Sequence, residues 1–210
     1  YRPNMPMQIT TGAMSVPGLT GNGGIIGRDE VYTTGDYIQG YDRKGFYQAQ
    51  VTVIQFIERV LGASRLSLVG EVGYNHIEGI DLSDGSTFYG RDSLFGTNPN
   101  AAGTCATTGR NWCESDGFYT SNSWGYRARA SLDYANVIAG INLSPNVSWS
   151  HDVEGYGPNF TEDAKAISVG LNADYGNKYN ASISYTDFFD GKYNTAVDRD
   201  FASVSFSVSF

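Results

Sequence analysis

"FASVSFSVSF", Phe201 to Phe210, closes the sequence. Its even positions are apolar: Ala202, Val204, Phe206, Val208 and Phe210. Its odd positions are serines: Ser203, Ser205, Ser207 and Ser209. Strand side chains alternate faces with period 2, so the stretch reads as a strand with one apolar and one hydroxyl-rich face. Chain ends are ordinarily frayed and polar. A pattern held to the last residue demands something for the apolar face to touch.

The same alternation recurs upstream. Tyr179, Ala181, Ile183 and Tyr185 oppose Asn180, Ser182, Ser184 and Thr186. Ile167, Val169, Leu171, Ala173 and Tyr175 oppose Ser168, Gly170, Asn172 and Asp174. Ile141, Leu143, Pro145, Val147 and Trp149 oppose Asn142, Ser144, Asn146 and Ser148. Trp124, Tyr126, Ala128, Ala130, Leu132 and Tyr134 oppose Arg127, Arg129, Ser131 and Asp133. Leu66, Leu68, Val72 and Tyr74 oppose Arg65, Ser67, Glu71 and Asn75, and Tyr47, Ala49, Val51 and Val53 oppose Gln48, Gln50 and Thr52. No amphipathic helix of comparable length competes with these seven strands.

The 210 residues suit one domain, 1–210, or a large piece of one. A formal net charge of -8 argues against a nucleic-acid partner, which needs a basic face. No stretch approaches the roughly 20 apolar residues of a membrane-spanning helix. No amino-terminal signal peptide is visible, so Tyr1 reads as a mature terminus or, preferably, as a cut inside a longer chain. Cys105 and Cys113 stand in a Gly/Thr/Asn-rich segment without a zinc-type partner pair, and read as a loop disulfide in an oxidising compartment.

Two architectures fit such strands. One is a soluble antiparallel sandwich or barrel with its apolar face inward. The other is a membrane barrel with that face against lipid and the polar face lining a lumen. Strands of about 10 residues have the length a tilted strand needs to cross a bilayer. Short links at 135–140 and 176–178 alternate with long segments at about 11–45, 77–123, 151–164 and 189–200, as periplasmic turns alternate with external loops. If Phe210 marks the periplasmic end, Tyr134, Tyr175, Tyr179 and Phe210 gather at that rim. Tyr47, Tyr74, Trp124, Tyr126, Trp149 and Tyr185 then gather at the external one. Val, Ile, Leu and Ala fill the middle, including Leu132, Val147, Val169, Leu171 and Ile183. Two aromatic girdles follow from one assumption about direction. The predicted fold is therefore all-β: an antiparallel transmembrane outer-membrane β-barrel with seven to eight strands here, the carboxy-terminal part of a larger barrel.

Lipid-facing Phe206 and Phe210 on a terminal strand resemble the signal that barrel-assembly machinery reads in outer-membrane proteins. More specifically, "YRPNMPMQI", "YQAQVTVIQ", "LSLVGEVGYN", "NLSPNVSWSHDVEGYGPN", "KAISVGLNADY", "SISYTDFFDGKYN" and "DRDFASVSFSVSF" together resemble the carboxy-terminal part of a Gram-negative outer-membrane family, domain of unknown function 1302. The likeness covers most of the chain outside the long loops. It implies a fragment of a longer chain, a bacterial outer-membrane location, and contact with outer-membrane lipid and lipopolysaccharide. Members are often encoded near efflux-type inner-membrane transporters, which implies traffic of hydrophobic molecules and an efflux-type partner system. The resemblance carries no established chemistry.

The expected lumen lining is Arg65, Glu71, Arg127, Arg129, Asp133, Asn146, Asn172 and Asp174, with Ser184 and Ser205 on the same side. Its arginines would favour anionic or polar solutes; alternatively the charges pair across strands in a plugged barrel. A Glu71–Arg129 pair is expected, leaving Arg127 as the free luminal charge. In the last loop, Asp187, Asp190, Asp198 and Asp200 could hold divalent ions, but turn formation and a local Asp–Arg clamp in "DRD" (198–200) are preferred. No metal motif and no cofactor are expected. His76, near Glu78, and His151, between Ser150 and Asp152, both map to the external rim. Neighbours on one strand point to opposite faces, so "SHD" is not a triad by itself. The expected function is a passive channel for small molecules, hydrophobic ones included, and not an enzyme. A structural barrel with a plugged lumen and a rim-histidine hydrolase are the alternatives.

Overall fold

A computed structural model describes residues 43–81, 89–92, 95 and 116–209 of the chain. Cys105, Cys113 and Phe210 lie outside the described residues, so the disulfide and the last girdle position fall outside them too. Among the described residues there are seven strands: β1 Phe46–Glu58, β2 Arg65–Ile77, β3 Asn122–Ile138, β4 Ile141–Glu154, β5 Lys165–Tyr175, β6 Tyr179–Phe189 and β7 Phe201–Val208. They form one antiparallel sheet in chain order, β1-β2-β3-β4-β5-β6-β7. No α-helix occurs among the described residues. The all-β antiparallel expectation holds. β1 and β7 are not neighbours, so the sheet is not closed.

The turns explain two boundaries that periodicity misplaces. The segment 135–140, expected to be a link, belongs mostly to β3. Only Ala139 and Gly140 separate it from β4, both with positive φ (51° and 87°). That geometry suits a two-residue hairpin whose twist matches the flanking strands. Asn136 braces it by accepting a hydrogen bond from the Gly140 N–H (2.9 Å). At the other end β4 continues to Glu154, so the connection expected over 151–164 begins at Gly155. The 176–178 turn stands as expected, with Gly176 and Asn177 at positive φ.

Registers are in phase over the last four strands. One face carries the rows Ile141–Tyr175–Tyr179–Val208, Leu143–Ala173–Ala181–Phe206, Pro145–Leu171–Ile183–Val204 and Val147–Val169–Tyr185–Ala202. The other carries Asn142–Asp174–Asn180–Ser207, Ser144–Asn172–Ser182–Ser205 and Asn146–Gly170–Ser184–Ser203. A slip of one residue anywhere would mix the faces. None occurs.

The chain falls into two compact units. The sheet unit comprises Ala49–Tyr74, Trp124–Val153 and Asp163–Phe210. The second takes in the described residues of Tyr1–Gln48, Asn75–Ser123 and Glu154–Glu162. The second unit has its own small core, in which Ile77, Ile80 and Tyr89 are buried together with Tyr119 packed against them. Backbone bonds knit it, including Tyr119 N–H to Tyr89 O (2.9 Å) and Thr120 N–H to Tyr156 O (2.9 Å).

Candidate functional site

In the sheet unit, no apolar strand side chain is buried among the described residues. Val169 is 52% exposed, Ile183 54% and Val204 78%. Contiguous apolar faces of this extent are rare on soluble monomers and mark surfaces that meet a partner or a membrane.

Aromatic rings bound that face at both ends. Near the short turns, Tyr175 stacks on Tyr179 (6.2 Å) and Tyr179 on Phe206 (6.5 Å). Tyr134 donates its hydroxyl to Leu61 O (3.1 Å). Toward the long connections, the Trp149 ring lies 5.8 Å from Phe189 and its indole N–H donates to the Tyr126 hydroxyl (3.3 Å). Tyr126 in turn meets the His151 ring edge-on at 5.5 Å. Tyr74 is exposed and Trp124 half-buried. The level of Trp149 lies eight residues from that of Tyr175, which pairs with Ile141. Eight residues span about 27 Å of strand, or about 20 Å of height at a tilt of about 40°, close to the roughly 25 Å apolar band of outer-membrane barrels.

The polar face gathers the hydroxyls, amides and most of the sheet's charges. Ser182 and Ser205 share a hydrogen bond (2.6 Å), as do Ser184 and Ser203 (2.7 Å), while Thr186 donates to Ser168 (2.9 Å). Arg65 pairs with Asp133 at 2.9 Å, and Asp133 also accepts from Ser144 (3.0 Å). These groups border a hollow of about 530 Å³ near the short turns. Asp174 sits there too, but it caps the turn by accepting from Asn177 N–H (3.3 Å). Asn146 lies across from Gly170, where a Cβ would come within 3.1 Å of the amide. Asn172 shares the row of Ser144 and Ser182.

Two charge assignments reverse. The expected free charge, Arg127, pairs with Asp152 at 2.7 Å. Asp152 falls in the connection expected over 151–164, but β4 runs on to Glu154, and inside the strand Asp152 shares the polar face with Ser148 and Ser150. The expected Glu71–Arg129 pair does not form. Glu71 instead accepts from Thr52 Oγ1 (2.7 Å) and Gln50 Nε2 (3.5 Å), which hold it toward β1. Arg129 is exposed and has no hydrogen bond or ion pair among the described residues. Arg127, Arg129, Glu71, Ser148, Ser150 and Ser168 border a shallow hollow of about 310 Å³.

The "DRD" clamp is also absent. Arg199 makes no ion pair among the described residues. Asp200 is held by the Tyr185 hydroxyl (3.0 Å) and the Phe188 N–H (3.3 Å). The Phe188 amide and the Tyr185 hydroxyl, in that order, pull the Asp200 carboxyl below its ordinary pKa by stabilising the anion. Asp190 holds Lys165 at 2.8 Å. No cluster of three or more metal-ligating side chains occurs among the described residues.

Neither histidine meets a carboxylate among the described residues. His76 Nδ1 lies 2.8 Å from Asn122 Oδ1, while Glu78 receives the Tyr47 hydroxyl (3.1 Å). His151 Nε2 is buried without a partner. The sequence reading missed Asp152 and the Tyr185–Asp200 contact. Asp152 was legible in principle, since it keeps the parity of Ser148 and Ser150; the second contact depends on a loop path that carries no periodic signal.

Among curated proteins and solved structures, none matches the chain. A family described as "Protein of unknown function (DUF1302)" matches it over residues 1–210. The match takes in every strand and both faces described above, and the chain belongs to the DUF1302 family.

Proposed function

We infer that the sheet is part of the wall of a β-barrel in a Gram-negative outer membrane, serving as a passive conduit for small molecules. The observation that carries this reading is the exposed apolar face, bounded at both ends by aromatic rings. Lipid would cover its Val, Leu and Ile middle, and the rings would sit at the two interfaces. A soluble sandwich would bury those side chains. Neighbouring strands alternate direction, so β1 and β7 run the same way. An all-antiparallel barrel with an even strand number therefore needs an odd number of further strands between them.

The conduit role rests on the opposite face, with its hydroxyls, amides and an unpaired arginine. A second reading, a structural barrel with a plugged lumen, draws support from the cross-strand pairs Arg65–Asp133 and Arg127–Asp152. A rim-histidine hydrolase is the third reading; among the described residues His76 lies against Asn122 and neither His76 nor His151 pairs with an acid. The native-length protein in a planar bilayer should produce discrete current steps. Inserted protein that passes no current would favour the plugged barrel.

A further inference from the structure

We propose that Arg129 is an anion-binding centre on the polar face, a site for the carboxylate of a small organic monoacid. This inference rests on the conduit reading and names its solute class. Of the cations on the sheet, Arg65, Arg127 and Lys165 each have a carboxylate within 2.9 Å. Arg129, in the interior of β3, has none among the described residues. The nearby acid, Glu71, is held toward β1 by Thr52 and Gln50.

The surroundings suit one negative charge. A guanidinium offers two parallel N–H donors to the two oxygens of a carboxylate. Ser148 and Ser150 border the same hollow, and their hydroxyls have no partner among the described residues. Val69 and Ala166 add a small apolar wall for a short acyl chain. A phosphate dianion fits less well, because Arg127 is already neutralised by Asp152 and Glu71 adds a negative charge to the rim. The hollow, about 310 Å³, has room for an acid of a few carbons.

Sodium butyrate is the probe, titrated against the native-length protein in detergent micelles and followed by NMR line broadening of the butyrate methyl signal. Saturable binding is expected. Arg129→Gln should weaken it on the order of tenfold or more, the loss of a charge-assisted pair of hydrogen bonds. Arg129→Lys should give an intermediate affinity, since it keeps the charge without the fork. Glu71→Gln should tighten binding. Unchanged affinity in Arg129→Gln would overturn the site, as would a variant that fails to fold, which would make Arg129 a structural partner. Equal competition by inorganic phosphate would overturn the monoanion assignment. Butyrate binding without bilayer conductance would keep the site and defeat the conduit. Conductance whose anion preference survives Arg129→Gln would do the reverse.

Discussion

Asp200 sits just before β7 and ties it to β6. It receives the Tyr185 hydroxyl and the Phe188 amide, and both donors favour its ionised form. A carboxyl whose folded-state pKa is depressed stabilises the fold above its unfolded-state pKa. That contribution is lost as pH falls through the folded-state value. With an ordinary value of 3.8, the loss belongs below about pH 4. Asp200→Asn should lower the thermal midpoint at neutral pH. It should also flatten the decline that the wild type shows on acidification below about pH 4. Parallel acid profiles for the two proteins would remove Asp200 from the account. The sequence could mark this residue only as one of several loop aspartates, and the clamp it suggested used Arg199. Partner choice within a loop follows from a backbone path that no periodicity encodes, whereas the Arg127–Asp152 pair needed only β4 to run on to Glu154.

At the level of strands, most of the architecture was readable. Period-2 alternation located all seven, and the faces it assigned in β4 to β7 are the faces that the registers assemble. Boundaries were less readable, because Asn136 and Ala139 adopt positive φ without being glycine and so leave no clear signal. Strand β5 offers a direct comparison of the two faces. Val169 lies in the row Val147–Val169–Tyr185, and Ser168 in the row Ser148–Ser168–Thr186. Arginine at a lipid-facing midplane position costs about 2–4 kcal/mol. Val169→Arg should therefore destabilise the native-length protein in lipid vesicles by that amount, and Ser168→Arg by far less. Denaturant unfolding from vesicles reads the difference, and a greater cost at Ser168 would invert the assignment of faces.

For the molecule as a whole, the central claim is that the apolar face meets lipid and the polar face meets water. The periodicity of β5 allows this to be read residue by residue. In the native-length protein carrying Cys105→Ser and Cys113→Ser, single nitroxide labels would be placed in turn from Ala166 to Asp174 and the protein reconstituted in lipid vesicles. Oxygen partitions into the acyl chains, and a water-soluble nickel complex is excluded from them. Labels at Ile167, Val169, Leu171 and Ala173 should relax strongly with oxygen and weakly with nickel, with Ser168, Gly170 and Asn172 showing the opposite. A period of 2 in that phase is the expected result. The reverse phase, or an absence of alternation, would contradict a lipid-facing wall and return the chain to a soluble sheet with its apolar face covered by protein.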